Sequence, residues 1–312
     1  MCCGVVWCVV NRMNFVSQIS AAIYVYPGAC HSRFIHSLGV MNIAGKYMKH
    51  LLQTVHPLID NTSINEKKWI QIARLAALLH DIGHGPYSHS FDRIVYSKIY
   101  GIDDGGHDVH RVHLIKTSPL KECIENCGVK VEDIIKVWNA KVENNVDDKD
   151  KENALYYICN LIVGGPLGSD RIDFILRDSY FTGTSHLGTI AWKRIIYNSK
   201  IMCVDGVYTV CYAYKTLQDI IQALEGRRYM YNAVYLHKKV DAASILVEKM
   251  MENVMKEMDI DVYDVKQFIR LDDNFVIGRA MMMENNNPSR YWIDRFKSCD
   301  LPVCLKEEIV SR

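Results

Sequence analysis

Apolar residues recur along the chain in three distinguishable patterns. Between His36 and Val55, the residues Val40, Ile43, Ala44, Tyr47, Met48, Leu51, Leu52 and Val55 are spaced three and four apart, the stripe of an amphipathic helix with one buried face. His36 stands four residues before Val40 and so lies on that inward face. Trp69 to Leu79 is apolar almost all round and stops at Asp81-Ile82-Gly83-His84-Gly85-Pro86, where glycine and proline break the helix. A buried helix therefore delivers His80 and Asp81 to its C-terminal end. A Gly-rich polar loop at Gly101 to Gly106 precedes a helical stretch from about His107 to Ile115. Further helical patterns run from Asp170 to Tyr180 and from Thr216 to Met251. Lys200 to Tyr212 differs, because two β-rich runs flank Asp205-Gly206, a favoured tight-turn pair, and this predicts a hairpin. Lys141 to Glu152 is charged and without period, a solvated loop or exposed helix end. The expected fold is mainly α, a helical core with a small β-hairpin element. Residues 1–250 are expected to form the main domain and 251–312 a mainly helical tail or subdomain.

Composition narrows the function classes. At 312 residues and 49% hydrophobic content, the chain can bury a full core. Its 37 basic and 36 acidic residues nearly cancel, and no run of five or six like charges occurs, so nucleic-acid binding is not indicated. The 11 cysteines are scattered and form no CxxC, which points away from a disulfide framework or zinc ribbon and toward a reducing, cytoplasmic setting. The apolar start from Cys2 to Val10 is too short to span a bilayer and lacks the features of a signal peptide. It is expected to pack as the start of a strand or helix, with acylation of Cys2 and Cys3 the lesser reading and no membrane role.

The chemistry concentrates around His80-Asp81. Two ionisable side chains at the end of a buried helix would cost several kcal/mol unless something compensates, and a divalent cation does so most simply. His36 supplies a second imidazole and Asp170 a second carboxylate. Such a mixed nitrogen and oxygen shell suits Mn, Mg, Fe, Zn or Ni rather than a closed structural zinc site. His84, His89 and His107 lie nearby in sequence, and imidazoles beside a bound phosphate can donate protons or hold its oxygens. His110 and His113 are read as a solvated helix face. Asp173, four residues before Arg177, is read as a structural ion pair rather than a ligand.

Four segments carry a resemblance: HSRFIHSLGV (His31 to Val40), HDIGHGPYSHSFD (His80 to Asp92), the pair His107-Asp108, and SDRIDFILRDSYFTG (Ser169 to Gly183). In order and content they resemble the motifs of HD-domain deoxynucleoside triphosphate triphosphohydrolases, a family that includes the vertebrate enzyme with a sterile-alpha-motif domain and shorter bacterial and archaeal proteins. The likeness runs from about Arg12 to about Met251, without a sterile-alpha-motif domain. It implies an HD-domain helical core with metal ligands His36, His80, Asp81 and Asp170. It also implies phosphate-contacting and catalytic roles for His84, His89 and His107, with His107 as general acid. Arg33 would hold the phosphate next to the sugar, Gln18 would lie at the sugar and base end, Asp178 would read the sugar hydroxyl, and Arg171 would contact the triphosphate. GRRYMYNAVYLHKK (Gly226 to Lys239) resembles the family's second substrate-binding helix, and helical spacing puts Arg227, Tyr231, Tyr235 and Lys238 on one face.

Three departures stand out. Phe174 replaces a tyrosine that contacts the sugar in many relatives. The segment that usually precedes the position of Arg12, with much of the nucleotide-sensing surface, is missing. Leu236 replaces a polar residue of the vertebrate enzyme. The resemblance implies hydrolysis of a deoxynucleoside triphosphate to nucleoside and inorganic triphosphate, with one divalent metal ion, in a homodimer or homotetramer. The alternatives are an HD phosphohydrolase acting on a monophosphate or cyclic nucleotide, and a nucleotide-binding protein without turnover.

Overall fold

The stripe around His36 becomes helix α1, Arg33–Gln53, which packs its apolar face against α2, Glu66–Leu78. A computed structural model describes residues 8–54, 64–102, 105–142 and 151–303. Residues 2–7 of the apolar start, Asp103 and Asp104, Val55 and residues 143–150 of the polar stretch lie outside the described residues. Helix α2 opens where the Asn65 side chain accepts the Lys68 N–H at 3.1 Å, and it ends at Leu79, so His80 and Asp81 sit on the turn that follows. The next helices are α3, Gly106–Thr117, α4, Leu120–Asn126, α5, Val131–Asn139, and α6, Lys151–Gly164. Helix α7, Ser169–Phe181, returns to pack on α1 and α6.

The hairpin forms as the sequence predicts. Strands β1, Ser199–Val204, and β2, Val207–Tyr212, pair antiparallel from Ser199 opposite Tyr212 to Val204 opposite Val207. Asp205 and Gly206 have φ of 51° and 80°, the two left-handed residues that a tight two-residue turn requires. Tyr212 ties the hairpin to the core through its hydroxyl, 2.6 Å from that of Tyr47 on α1. The architecture is mainly α with this one hairpin among the described residues. No described helix is long and apolar enough to cross a membrane.

One feature differs from the sequence reading. The helical pattern from Thr216 to Met251 is two helices, α8, Leu217–Met230, and α9, Lys238–Met258, separated by a π-helical turn over Tyr231–Tyr235 and a break at Leu236 and His237. Ala233, Leu236 and Val240 keep three- and four-residue spacing across the break, which hides it from the pattern. The segment after Met251 folds as α10, Asp273–Met282, and α11, Pro288–Lys297, both packed on α9. Its Val262, Phe268, Val276 and Phe296 belong to the same apolar cluster as Tyr47, Ile72 and Leu114.

Candidate active site

Three helices converge on one cluster of imidazoles and carboxylates. Helix α1 contributes Arg33 and His36 one turn apart, the turn after α2 contributes His80 and Asp81, and the first turn of α7 contributes Asp170 and Asp173. His36 Nε2 is 3.2 Å from Asp170 Oδ1 and 3.7 Å from Asp81 Oδ2. His80 Nε2 is 3.3 Å from Asp81 Oδ1 and 3.5 Å from Asp170 Oδ1. The opposite ring nitrogens are already committed: His36 Nδ1 lies 2.9 Å from Asp173 Oδ2, and His80 Nδ1 lies 2.6 Å from the Ala77 carbonyl. Carboxylate and carbonyl oxygens only accept, so each Nδ1 carries a proton, leaving each Nε2 to face the cluster, where it could offer its lone pair to a cation. Asp173 is held in turn by Arg177 through two bonds of 2.8 and 2.9 Å, the ion pair expected from their spacing.

The charge balance of this cluster favours a cation. Burial would lower the His36 pKa, yet Asp170, Asp173 and Asp81 push it up to about 10. Asp170 is half-buried, and although desolvation opposes its charged form, His36 and His80 hold it below the usual carboxylate range. His80 Nε2 is buried without any hydrogen-bond partner, which is costly unless something binds it. Donor atoms of His36, His80 and Asp170 lie within 4.8 Å of one another, and Asp81 faces both imidazoles while also pairing with Arg33. These residues fit a divalent ion in a nitrogen and oxygen shell.

Beside the cluster stands a second group, organised by a residue the sequence reading did not single out. Asp92 begins a π-helical turn, Asp92–Ile99, and its Oδ2 lies 3.3 Å from His84 Nδ1, 3.2 Å from His89 Nδ1 and 2.9 Å from His107 Nδ1. The rings of His84 and His107 stack with centroids 3.8 Å apart. Burial opposes the charged form of His107, but Asp92 outweighs it and raises its pKa. Burial, then Arg33 and His107, hold His84 well below the usual histidine range. An imidazole with a raised pKa and one with a lowered pKa are thus adjacent. His110, read as a solvated residue, is instead fully buried beside Tyr96, whose hydroxyl lies 2.5 Å from its Nδ1, and burial followed by Arg12 lowers its pKa to about 3. His113 is half-buried, with Nε2 2.9 Å from the Tyr263 carbonyl.

At the other end, Asp178 is buried with both oxygens engaged, Oδ1 2.7 Å from His31 Nε2 and Oδ2 accepting the Tyr235 hydroxyl at 2.6 Å. His31, also not singled out from the sequence, stacks on Phe181. Tyr235 meets Phe174 edge to face and stands beside Tyr231. Gln18 has a buried side-chain oxygen without a partner. Arg171 and Arg227 come close enough that, after burial, the charge of Arg227 lowers the Arg171 pKa. Arg171 donates to the Gly164 carbonyl at 2.7 Å, and the Arg227 guanidinium lies over the Tyr231 ring.

One cavity of 490 Å³ connects these groups. Gln18, Arg33, His36, His80, Asp81, His84, His89, His107, Asp170, Arg171, Phe174, Asp178, Arg227, Tyr231 and Tyr235 all line it. Lys238 does not: it is exposed at the start of α9, beyond the helix break, and not on a continuous face with Arg227. Arg111 also lines the cavity, paired with Asp108 at 2.7 Å and donating to the His80 carbonyl at 3.1 Å. The expected segments carried signals for two of the missed residues, since His31 opens one quoted motif and Asp92 closes another.

Comparison with known proteins agrees with this arrangement. The HD domain family profile matches residues 33–145. An uncharacterised protein of Methanocaldococcus jannaschii is 30% identical over 277 residues, 86% of this chain and 51% of the archaeal protein. The Dictyostelium discoideum deoxynucleoside triphosphate triphosphohydrolase SAMHD1 homolog is 27% identical over 306 residues, 96% of this chain and 56% of its own length. The Homo sapiens deoxynucleoside triphosphate triphosphohydrolase SAMHD1 is 28% identical over 244 residues, 73% of this chain and 38% of its own. The chain spans about half the length of the curated relatives it matches. With the HD profile lying over Arg33, His36, His80 and Asp81 of the cluster, the chain carries an HD domain, and over most of its length it is similar to deoxynucleoside triphosphate triphosphohydrolases.

Proposed function

We propose that this cavity is a metal-dependent phosphohydrolase site and that it cleaves deoxynucleoside triphosphates into deoxynucleoside and inorganic triphosphate. The observation that carries the reading is the continuity of one cavity from the His36, His80 and Asp170 cluster to Arg171 and Arg227 and to the Asp178–Tyr235 pair. A divalent ion held by His36, His80, Asp81 and Asp170 would supply Lewis acidity at a phosphoryl group. Arg33, beside Asp81, suits the phosphate attached to the sugar, and the two neighbouring guanidiniums of Arg171 and Arg227 suit the outer phosphates. Among the described residues Arg227 has no carboxylate partner, and the repulsion between it and Arg171 would be relieved by a polyphosphate. As water adds to the α-phosphorus and releases one of its protons to solvent, the bond to the 5′ oxygen breaks and His107, whose pKa Asp92 raises, gives a proton to the departing oxygen.

Sugar selection follows from Tyr235. Its hydroxyl is tied to Asp178, so the ring forms a fixed wall that would crowd a 2′-hydroxyl. Phe174 offers no hydroxyl to the sugar, so the preference for deoxy substrates is expected to be weaker than in tyrosine-bearing relatives. A monophosphate or cyclic nucleotide gives Arg227 no partner, which is why the triphosphate reading is favoured. Incubation of the pure protein with Mn²⁺ or Mg²⁺ and each of the four dNTPs, four NTPs and the corresponding monophosphates tests it. Turnover of dNTPs above all others is the expected result, and turnover confined to monophosphates would overturn the proposal.

A further inference from the structure

The C-terminal segment is tied to the active-site loops by two side chains, its own Asp273 and Arg12 from near the N-terminus. Asp273, the first residue of α10, is half-buried with its carboxylate turned inward, where Oδ1 accepts the Tyr87 N–H at 2.7 Å and Oδ2 the Ser17 N–H at 3.0 Å. Arg12 donates to the Leu271 carbonyl and, on its other side, to the carbonyls of Ile82 and His84 at 3.0 and 2.6 Å. Both anchors therefore grip the segment from Ile82 to Ser88, which carries His84 and leads to His89.

That segment needs holding. Tyr87 and Ser88 have φ of 57° and 55°, two consecutive left-handed residues with side chains, a conformation they rarely adopt unaided. The strained pair aims Ser88 Oγ at two partners: it donates to the Ser17 carbonyl at 2.6 Å and accepts from Arg33 Nε at 2.6 Å. Arg33 in turn pairs with Asp81. Asp273 thus joins the strands of chain at Ser17 and Tyr87, and Ser88, lying between them, is the acceptor on which Arg33 rests.

We infer that Asp273 is a positioning residue, which through Tyr87, Ser17 and Ser88 fixes the guanidinium of Arg33 for the phosphate next to the sugar. The consequence for phosphate binding rests on the polyphosphate reading of the cavity; the positioning itself does not. Asparagine at 273 has one acceptor oxygen and would turn an N–H₂ toward the second amide, so Asp273→Asn releases one side of the clamp.

Two readouts on the full chain loaded with Mg²⁺ test the inference. In ¹⁵N NMR, the Arg33 Hε should be protected from exchange in the wild type and lose at least tenfold of that protection in Asp273→Asn. Calorimetry with inorganic triphosphate should show at least tenfold weaker binding in Asp273→Asn, with metal content and circular dichroism unchanged. In an Arg33→Ala background the same substitution should add almost nothing, since its effect passes through Arg33. An unchanged Arg33 Hε, or full additivity with Arg33→Ala, would overturn the inference. A wild type that protects Arg33 Hε but binds no triphosphate, with protection lost in the variant, supports the positioning and sinks the polyphosphate reading alone. Should Asp273→Asn not fold, Asp273→Glu moves the carboxylate by one methylene while keeping its charge, and wild-type protection there would equally overturn it.

Discussion

Replacing Asp173 tests whether the carboxylate behind His36 supports the proposed metal site. Its Oδ2 lies 2.9 Å from His36 Nδ1, while Arg177 holds both oxygens. Asp173→Asn keeps an oxygen for the His36 N–H but removes the charge that makes the imidazole a stronger donor, whereas Asp173→Ala also frees the ring. Partners of this kind contribute about 10- to 100-fold in metal affinity. Since each tenfold is about 1.4 kcal/mol, the structure predicts roughly tenfold weakening for asparagine and about a hundredfold for alanine. The helix supplies an independent perturbation: Gly39 packs so closely that a Cβ would overlap the side chains of Asp173 and Arg177. Gly39→Ala should therefore push the pair off His36 and behave like Asp173→Ala. Competition of Mn²⁺ against a fluorescent chelator reads the affinity, with circular dichroism as the control for folding. Unchanged affinity in all three variants would refute the orienting role. Complete loss of metal in a folded Asp173→Asn would instead make Asp173 a ligand and refute the assignment to Asp170.

His107→Ala should lower turnover by about a hundredfold or more with metal content intact, as for a lost general acid; loss of metal with unaltered nucleotide binding would show the histidines to be misassigned. Arg227→Ala should weaken a triphosphate by roughly 1.5–3 kcal/mol, the worth of a charge-assisted contact, and a monophosphate hardly at all, as measured by competitive inhibition; equal losses would remove Arg227 from the outer phosphates. Burial raises the Asp273 carboxyl from the ordinary 3.8 to about 6, so between those pH values the unfolded chain gives up this proton first and the contribution of Asp273 to stability falls as pH rises. Denaturant titrations across this window should show the stability of the wild type relative to Asp273→Asn falling as pH rises, with the background from His84 and His110 common to both; parallel curves would contradict the raised value. Chelation should lower the thermal midpoint, because an ion bound only by the folded state stabilises it; an unmoved midpoint in protein shown to have lost its metal would count against the site.

The sequence revealed the parts of this fold whose cause is local. The α1 stripe, the glycine and proline stop after α2 and the Asp205-Gly206 turn each act over a few residues, and each element formed where its pattern lay. The break between Tyr235 and Lys238 was hidden because it involves neither proline nor glycine and leaves the apolar spacing continuous. Residues that act through distant partners were equally silent. Asp273 bonds Ser17, 256 positions away, and Arg12 bonds Leu271, 259 away, so nothing near either residue announces its role. Asp92 lay inside a quoted motif, yet its meaning required the three imidazoles that only folding gathers around it. His110 gave no signal of its burial because the side chains that enclose it, Tyr96, Phe268 and Tyr263, are distant in sequence.

The proposed reaction places the attack at the phosphate attached to the sugar. Reaction of a deoxynucleoside triphosphate in ¹⁸O-labelled water, followed by mass spectrometry of the products, locates the bond that breaks. One ¹⁸O is expected in inorganic triphosphate and none in the deoxynucleoside, because water adds to the α-phosphorus and the 5′ oxygen leaves with a proton. Label in orthophosphate beside a deoxynucleoside diphosphate, or in the 5′-hydroxyl of the nucleoside, would contradict it.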